Sequence, residues 1–135
     1  MGKIKVAVKG VLIHNDKLLI VQRSKTDSFG AGTWENVGGN MEFGEDFEQA
    51  LKREFLEEVG LAVHVKELLY ASTFVTNPAR QIIILVFLCE SDSNNVVLSN
   101  EHAQFLWATK YEARVLLPQP IINDFTQHQI FERLF

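Results

Sequence analysis

The glutamates at 54, 57 and 58 are the residues of this sequence best placed to do chemistry. They lie in GNMEFGEDFEQALKREFLEEVGL, from Gly39 to Leu61. On a helix they stand at i, i+3 and i+4, so their side chains converge on about one third of the circumference. Seven of the seventeen residues from Glu42 to Glu58 are carboxylates, and only Lys52 and Arg53 oppose them. Phe47, Leu51, Phe55 and Val59 recur at every fourth position beside them. The acidic stripe therefore borders the apolar stripe instead of opposing it. Like charges at this spacing cost about 0.2–0.5 kcal/mol per pair when exposed, and more when partly buried. A divalent cation removes that cost. Oxygen ligands without His or Cys suit magnesium or manganese, not zinc. The plainer reading is an exposed charged face paired with Lys52 and Arg53. Two neighbours weigh against it. Gly38-Gly39 lets the backbone approach a ligand and offer a carbonyl to the same ion. Glu45, at the helix start, can reach Arg53 and brace the carboxylates from behind.

The elements that must position these groups follow from the local patterns. Ile4 to His14 alternates as a strand, Asn15-Asp16 signals a hairpin turn, and Leu18 to Val21 returns as a second strand. Ser24 to Thr33 is rich in Ser, Gly and Asp and reads as a loop. Trp34 to Val37 and Met41 to Phe43 are short strand candidates around a Gly38-Gly39 turn. The spacing predicts a helix from Asp46 to Val59, capped by Asp46 with Gln49 and stopped by Gly60. Ala62 to Ser72 and Gln81 to Glu90 are β-rich, the second apolar enough to be a central strand. Ala103 to Ala108 is a further strand. Pro118 and Pro120 precede a last helix from Ile121 to roughly Leu134. Strands, helix, strands, helix imply an α+β chain, with a mixed sheet carrying helices on both faces.

Composition sets the frame. A chain of 135 residues with 47% apolar and 22% charged residues reads as one globular domain, residues 1–135. The formal net charge of −4 argues against a nucleic-acid surface, but a bound cation can invert the sign of a site and admit small anions. Cys89, the one cysteine, excludes an intrachain disulfide framework and reads as a buried thiol. No signal peptide is recognisable, and the apolar run from Ile82 to Cys89 is too short to span a bilayer. The expected setting is cytoplasmic, with no membrane partner. Apolar surface expected around Tyr70 to Phe74 and at Phe131, Leu134 and Phe135 points to a homodimer.

The segment from Gly39 to Leu61 resembles the Nudix box, G-x5-E-x7-R-E-U-x-E-E-x-G-U, where U is a bulky apolar residue. Gly39 is its first glycine, Glu45 its isolated glutamate and Arg53-Glu54 its RE pair. Phe55 fills U, Glu57-Glu58 is the EE pair, and Gly60-Leu61 closes it. Trp34 and Gly38 match the approach to the box, and the surroundings are closest to MutT-like members. Val37 stands where the family often has Pro, and Phe55 is larger than the usual aliphatic residue. The resemblance implies a Nudix-type α/β/α sandwich. It also implies a pyrophosphohydrolase acting on a nucleoside diphosphate linked to another moiety, with magnesium or manganese as cofactor. Glu54, Glu57 and Glu58 are the expected metal ligands, with the Gly38 carbonyl, and one of the three glutamates is alternatively the base. Arg53 and Glu45 are expected to support them. Arg23, at the end of the second strand, is expected on substrate phosphate, with Gly39 beside it. Glu101, before the Phe105/Trp107 strand, is a candidate from the late loop. Arg80, in the Asn77–Arg80 turn, is a weaker substrate-binding candidate that reads more readily as surface. The four histidines show no ligand spacing. The expected substrate is a nucleoside triphosphate, ordinary or oxidised, cleaved to the monophosphate and pyrophosphate. ADP-ribose or a nucleotide sugar is the alternative, and a non-catalytic nucleotide sensor on the same fold is a third reading.

Overall fold

Two of the expected signals work almost literally. Asn15 and Asp16 both adopt positive φ, 51° and 62°, as a two-residue hairpin turn matched to the strand twist requires. They join β1 (Lys3–His14) to β2 (Lys17–Arg23). Asp46 accepts a hydrogen bond from the Gln49 amide at 2.8 Å while the Gln49 side chain accepts from the Asp46 amide at 2.9 Å. That reciprocal cap starts α1 (Phe47–Val59), and Gly60, at φ 67°, ends it in the left-handed region. The computed structural model describes residues 2–26 and 30–135. The part of the expected Ser24–Thr33 loop at 27–29 lies outside them.

Between β2 and α1 run β3 (Trp34–Glu35) and β4 (Val37–Asn40). After α1 come β5 (Val63–Asn77), β6 (Arg80–Ser91), β7 (His102–Ala108), α2 (Lys110–Leu116), α3 (Gln119–Gln127) and α4 (Ile130–Leu134). β1 is the hub. It pairs parallel with β6 from Lys3 to Leu12, and antiparallel with both β4 and β2. The strand order is β3-β2-β1-β6-β5, with β4 on β1 and β7 on β2, so the sheet is mixed. Its two faces carry separate cores. Val8, Leu12, Leu19 and Val21 pack with Leu51, Phe55 and Val59 of α1. Val11, Leu18 and Ile20 pack with Ala113, Phe125, Ile130 and Phe131 of α2–α4. Helices therefore cover both faces, as expected. No helix among the described residues is long and apolar enough to cross a membrane.

The structure corrects several expectations. Gly38-Gly39 is not a turn between two strands. The pair lies inside β4, opposite Lys9 and Val8 of β1, and Met41 to Phe43 is not a strand. Gly38 has φ 147°, and a Cβ there would run into the Val8 carbonyl. The last helix is two: Gln129, at φ 57°, breaks α3 from α4. α2 was not expected, although Thr109 and Glu112 form a reciprocal cap for it. Tyr70 and Phe131, expected at the surface, are 6% and 1% exposed. Tyr70 stacks on His128 at 4.7 Å, and Phe131 meets Phe125 edge to face. Phe74, at the end of the expected stretch, is exposed, and so are Leu68 and Val75 on either side of it.

The large residue at position 55 has a specific accommodation. Phe55 is fully buried, and its ring lies where a side chain at Gly10 of β1 would stand. A Cβ at Gly10 would overlap the ring and sit 3.1 Å from Cys89 Sγ. Burial also pushes the Cys89 thiol up to about 12, so it packs as an apolar group. Gly10→Ala is expected to cost about 1–3 kcal/mol of unfolding free energy by urea titration, the usual penalty of overpacking. Phe55→Leu in the same chain should recover part of that loss.

Candidate active site

Gly39 leaves room for a carboxylate. A Cβ there would lie 2.8 Å from all three atoms of the Glu54 carboxyl group, so β4 and α1 approach this closely only with glycine at 39. The glutamates of α1 then sit against β4 at the bottom of a cleft of about 580 Å³. Gly38 and Gly39 form one wall, and Glu54, Glu57 and Glu58 another. Arg23, Glu101 and His102 close the far side.

Arg53 ties the acidic groups together. Its Nε donates to Glu45 Oε2 at 2.7 Å and its Nη2 to Glu45 Oε1 at 2.9 Å, a two-pronged grip. Nη2 also donates to the Asn40 carbonyl at 3.1 Å, which fixes the helix to the end of β4. Nη1 lies between Glu54, at 2.9 Å, and Glu57, at 3.3 Å. The Arg53 hydrogen bonds, joined by the Glu42 amide, hold the Glu45 carboxyl down to about 2. The same contacts raise the guanidinium further above its already high value.

A second network lies deeper. Lys9 of β1 donates to Glu35 Oε1 at 3.0 Å and to the Gly38 carbonyl at 3.2 Å. Glu35 Oε2 meets Arg23 Nε at 3.2 Å and His102 Nε2 at 3.4 Å. Burial opposes the Glu35 charge, but Lys9, the His102 hydrogen bond and Arg23 outweigh it and hold the carboxyl near about 2. Glu58 behaves oppositely. It is 3% exposed, and burial first, then the Glu54 carboxylate beside it, push it up to about 9. Its Oε2 is buried and accepts no hydrogen bond. A carboxylate so placed takes a proton and shares it with Glu54, or takes a cation.

The donor set fits a divalent ion on that observation. One buried carboxylate oxygen of Glu58 is unpartnered, Glu54 adjoins it, and the Gly38 carbonyl keeps a lone pair beyond its bond to Lys9. All are hard oxygen donors. Among the described residues no three His, Cys, Asp or Glu side chains already surround one point. Arg53 Nη1 lies between Glu54 and Glu57, and Glu57 is the outlying, exposed member.

Of the residues singled out from the sequence, Arg23, Gly38, Gly39, Arg53, Glu54, Glu57, Glu58 and Glu101 line this cleft. Glu45 stands behind Arg53. Arg80 does not join them: it pairs with Lys3 at the start of β1, whereas Gly38 pairs with Lys9 in the middle of that strand. Lys9, Glu35 and His102 were not singled out. Their proximity depends on strand pairing, and only the near-alternation of charge at Lys9 within an apolar strand hinted at it. The β2–β7 register slips at Gln22/Arg23, so Arg23 stands opposite His102 and not Ala103.

Comparison with known proteins agrees with this architecture. A family model described as the NUDIX domain matches residues 3–129. A MutT-like protein of Streptomyces ambofaciens is 35% identical over 108 residues, which cover 79% of this chain and 65% of that protein. The chain thus spans just under two thirds of that relative's length. A CTP pyrophosphohydrolase of Escherichia coli (strain K12) is 32% identical over 106 residues, covering 78% of this chain and 76% of that protein. A solved MutT protein from Methanosarcina mazei Go1 superposes with a TM-score of 0.87 at 21% identity, over 98% of this chain and 97% of that one; it shares the fold.

The Glu58 environment makes a prediction independent of any reaction. Glu58→Gln keeps the shape, removes a buried group that must bind a proton or a cation, and supplies an N–H for Glu54. In buffer containing EDTA the variant should unfold at the same urea concentration as wild type or a higher one. An earlier midpoint would mean that the contacts of the carboxylate with Lys9 and His102 outweigh its desolvation.

Proposed function

This chain belongs to the Nudix family of pyrophosphohydrolases, and from that premise we propose that it hydrolyses a nucleoside triphosphate, ordinary or oxidised, to the monophosphate and pyrophosphate. The observation that carries the reading is the unpartnered, buried Glu58 oxygen beside Glu54, at the bottom of a cleft rimmed by Arg23. Polyphosphate and carboxylates repel one another, so such a cleft needs a cation to admit its substrate. Members of this family are generally dependent on divalent metal ions. Here magnesium or manganese would be held by Glu54, Glu57 and Glu58 with the Gly38 carbonyl. When bound, such an ion supplies charge neutralisation at phosphate oxygens and acidifies water.

The chain's own residues do the remaining work. Arg53 holds Glu54 by one nitrogen and spends the other two on Glu45 and the Asn40 carbonyl, so the carboxylate cannot swing away from β4. Arg23, leaning on Glu35, presents a planar cation to phosphate across the cleft. Glu101 lines the same cleft. The CTP pyrophosphohydrolase among the relatives supports a nucleotide with a polyphosphate chain. The same reading takes the protein to act on a small molecule, with no nucleic-acid partner, and as a single domain.

A panel of nucleoside triphosphates, oxidised nucleotides, ADP-ribose and nucleotide sugars, assayed with magnesium, tests the substrate. Monophosphate and pyrophosphate from a triphosphate is the expected outcome. Turnover preserved in EDTA would sink the metal-site reading. Glu57→Gln and Glu58→Gln should each lower turnover by at least roughly a hundredfold. Arg53→Ala should lower it by about 10–100-fold while the chain stays folded by circular dichroism.

A further inference from the structure

His102 lies at the inner end of the cleft with a side chain 5% exposed, and the reaction outlined above gives it no role. Its Nε2 is 3.4 Å from Glu35 Oε2 and 3.5 Å from Glu58 Oε1. Glu35 is ionised and accepts here, so Nε2 carries the proton. Glu58 Oε1 lies beside the same N–H, at contact distance. The other ring nitrogen, Nδ1, is buried with no hydrogen-bond partner. That suits a bare acceptor; a second N–H there would be stranded. The ring thus aims one donor, at Nε2, into the space between two acids.

The effect falls on Glu58. Its carboxylate has two oxygens, and His102 faces only Oε1. Oε2 is left buried and unpartnered. Glu35 accepts from His102 as well as from Lys9 and Arg23, so its own place does not depend on the histidine alone. His102 is itself anchored: its amide donates to the Ser99 carbonyl, and the Ser99 amide donates to the Glu58 carbonyl at 2.9 Å. The ring and the end of α1 are thus tied by backbone as well as side chain.

We propose that His102 is a positioning residue, whose single Nε2–H orients the Glu58 carboxylate so that one oxygen is kept for a cation. The proposal rests on the reading of Glu54, Glu57 and Glu58 as a divalent-ion site. The distinction that matters is which ring position donates. A glutamine at 102 carries an N–H near the place of Nε2; an asparagine carries one near Nδ1, on the wrong side. A leucine carries none.

The test measures manganese binding by electron paramagnetic resonance on the full chain without substrate, beside magnesium-dependent turnover and melting in EDTA. His102→Leu and His102→Asn should weaken manganese binding by about 10–100-fold, and His102→Gln should restore most of it. Turnover should follow the same order, with kcat falling and KM changing little at saturating magnesium. If His102→Leu binds manganese as wild type does, or if glutamine and asparagine are equally poor, His102 merely fills space and the proposal is overturned. Loss of the folded state in all three variants would also overturn it. If wild type itself takes up no manganese, the metal-site reading fails and this proposal goes with it. A wild type that binds while all variants bind equally refutes His102 alone.

Discussion

A charged group without water must find another source of compensation, and the cleft is built around that constraint. Glu58 ends a helix whose neighbouring face is fully apolar, so its carboxylate is drawn into the protein by the packing of Phe55 and Val59. Lys9, Arg23 and Arg53 are the cations that make so many acids tolerable here, and Lys9 and Arg53 are each held by more than one partner. They divide the acids into two kinds. Glu35 and Glu45 are fully compensated and stay ionised; Glu58 is not, and its carboxyl is left wanting either a proton or an ion. The difference between support and ligand is thus a difference in how many donors each carboxylate already has.

The sheet delivers this arrangement through β1. Because β1 pairs with β2, β4 and β6, one strand sets the positions of Lys9, the glycine pair and the core beneath α1 together. The parallel β1–β6 ladder and the antiparallel β1–β4 pairing leave β4 short, and its end is bound to α1 by Arg53. The site therefore sits where strand and helix ends meet, with backbone carbonyls and amides close to the acids. Rigid elements, not loops, carry Glu54, Glu58 and Lys9.

The readable parts of the fold were those written locally. The Asn15-Asp16 turn and the Asp46/Gln49 cap depend on residues within a few positions of each other, and the acidic box is contiguous. The cap at Thr109 and Glu112 was equally local and shows that α2 was legible in principle. The break at Gln129 was not, because a glutamine in the left-handed region carries no glycine signature. The glycine pair misled for a related reason. Glycine usually marks a turn, whereas here it thins the backbone for a neighbouring strand and a carboxylate. His102 was out of reach of spacing arguments: Glu35 lies 67 residues away in the chain, and only the slipped β2–β7 register brings them together.

The contact between Phe55 and Gly10 couples the choice of residue at two positions. A ring at position 55 occupies the volume that any side chain at position 10 would need. The two positions lie on different elements, and no single substitution exchanges one arrangement for the other without a clash or a void. While the ring is in place, any side chain at position 10 carries a cost in stability. The larger residue in the acidic box thus ties its own size to a strand position far from it in the chain.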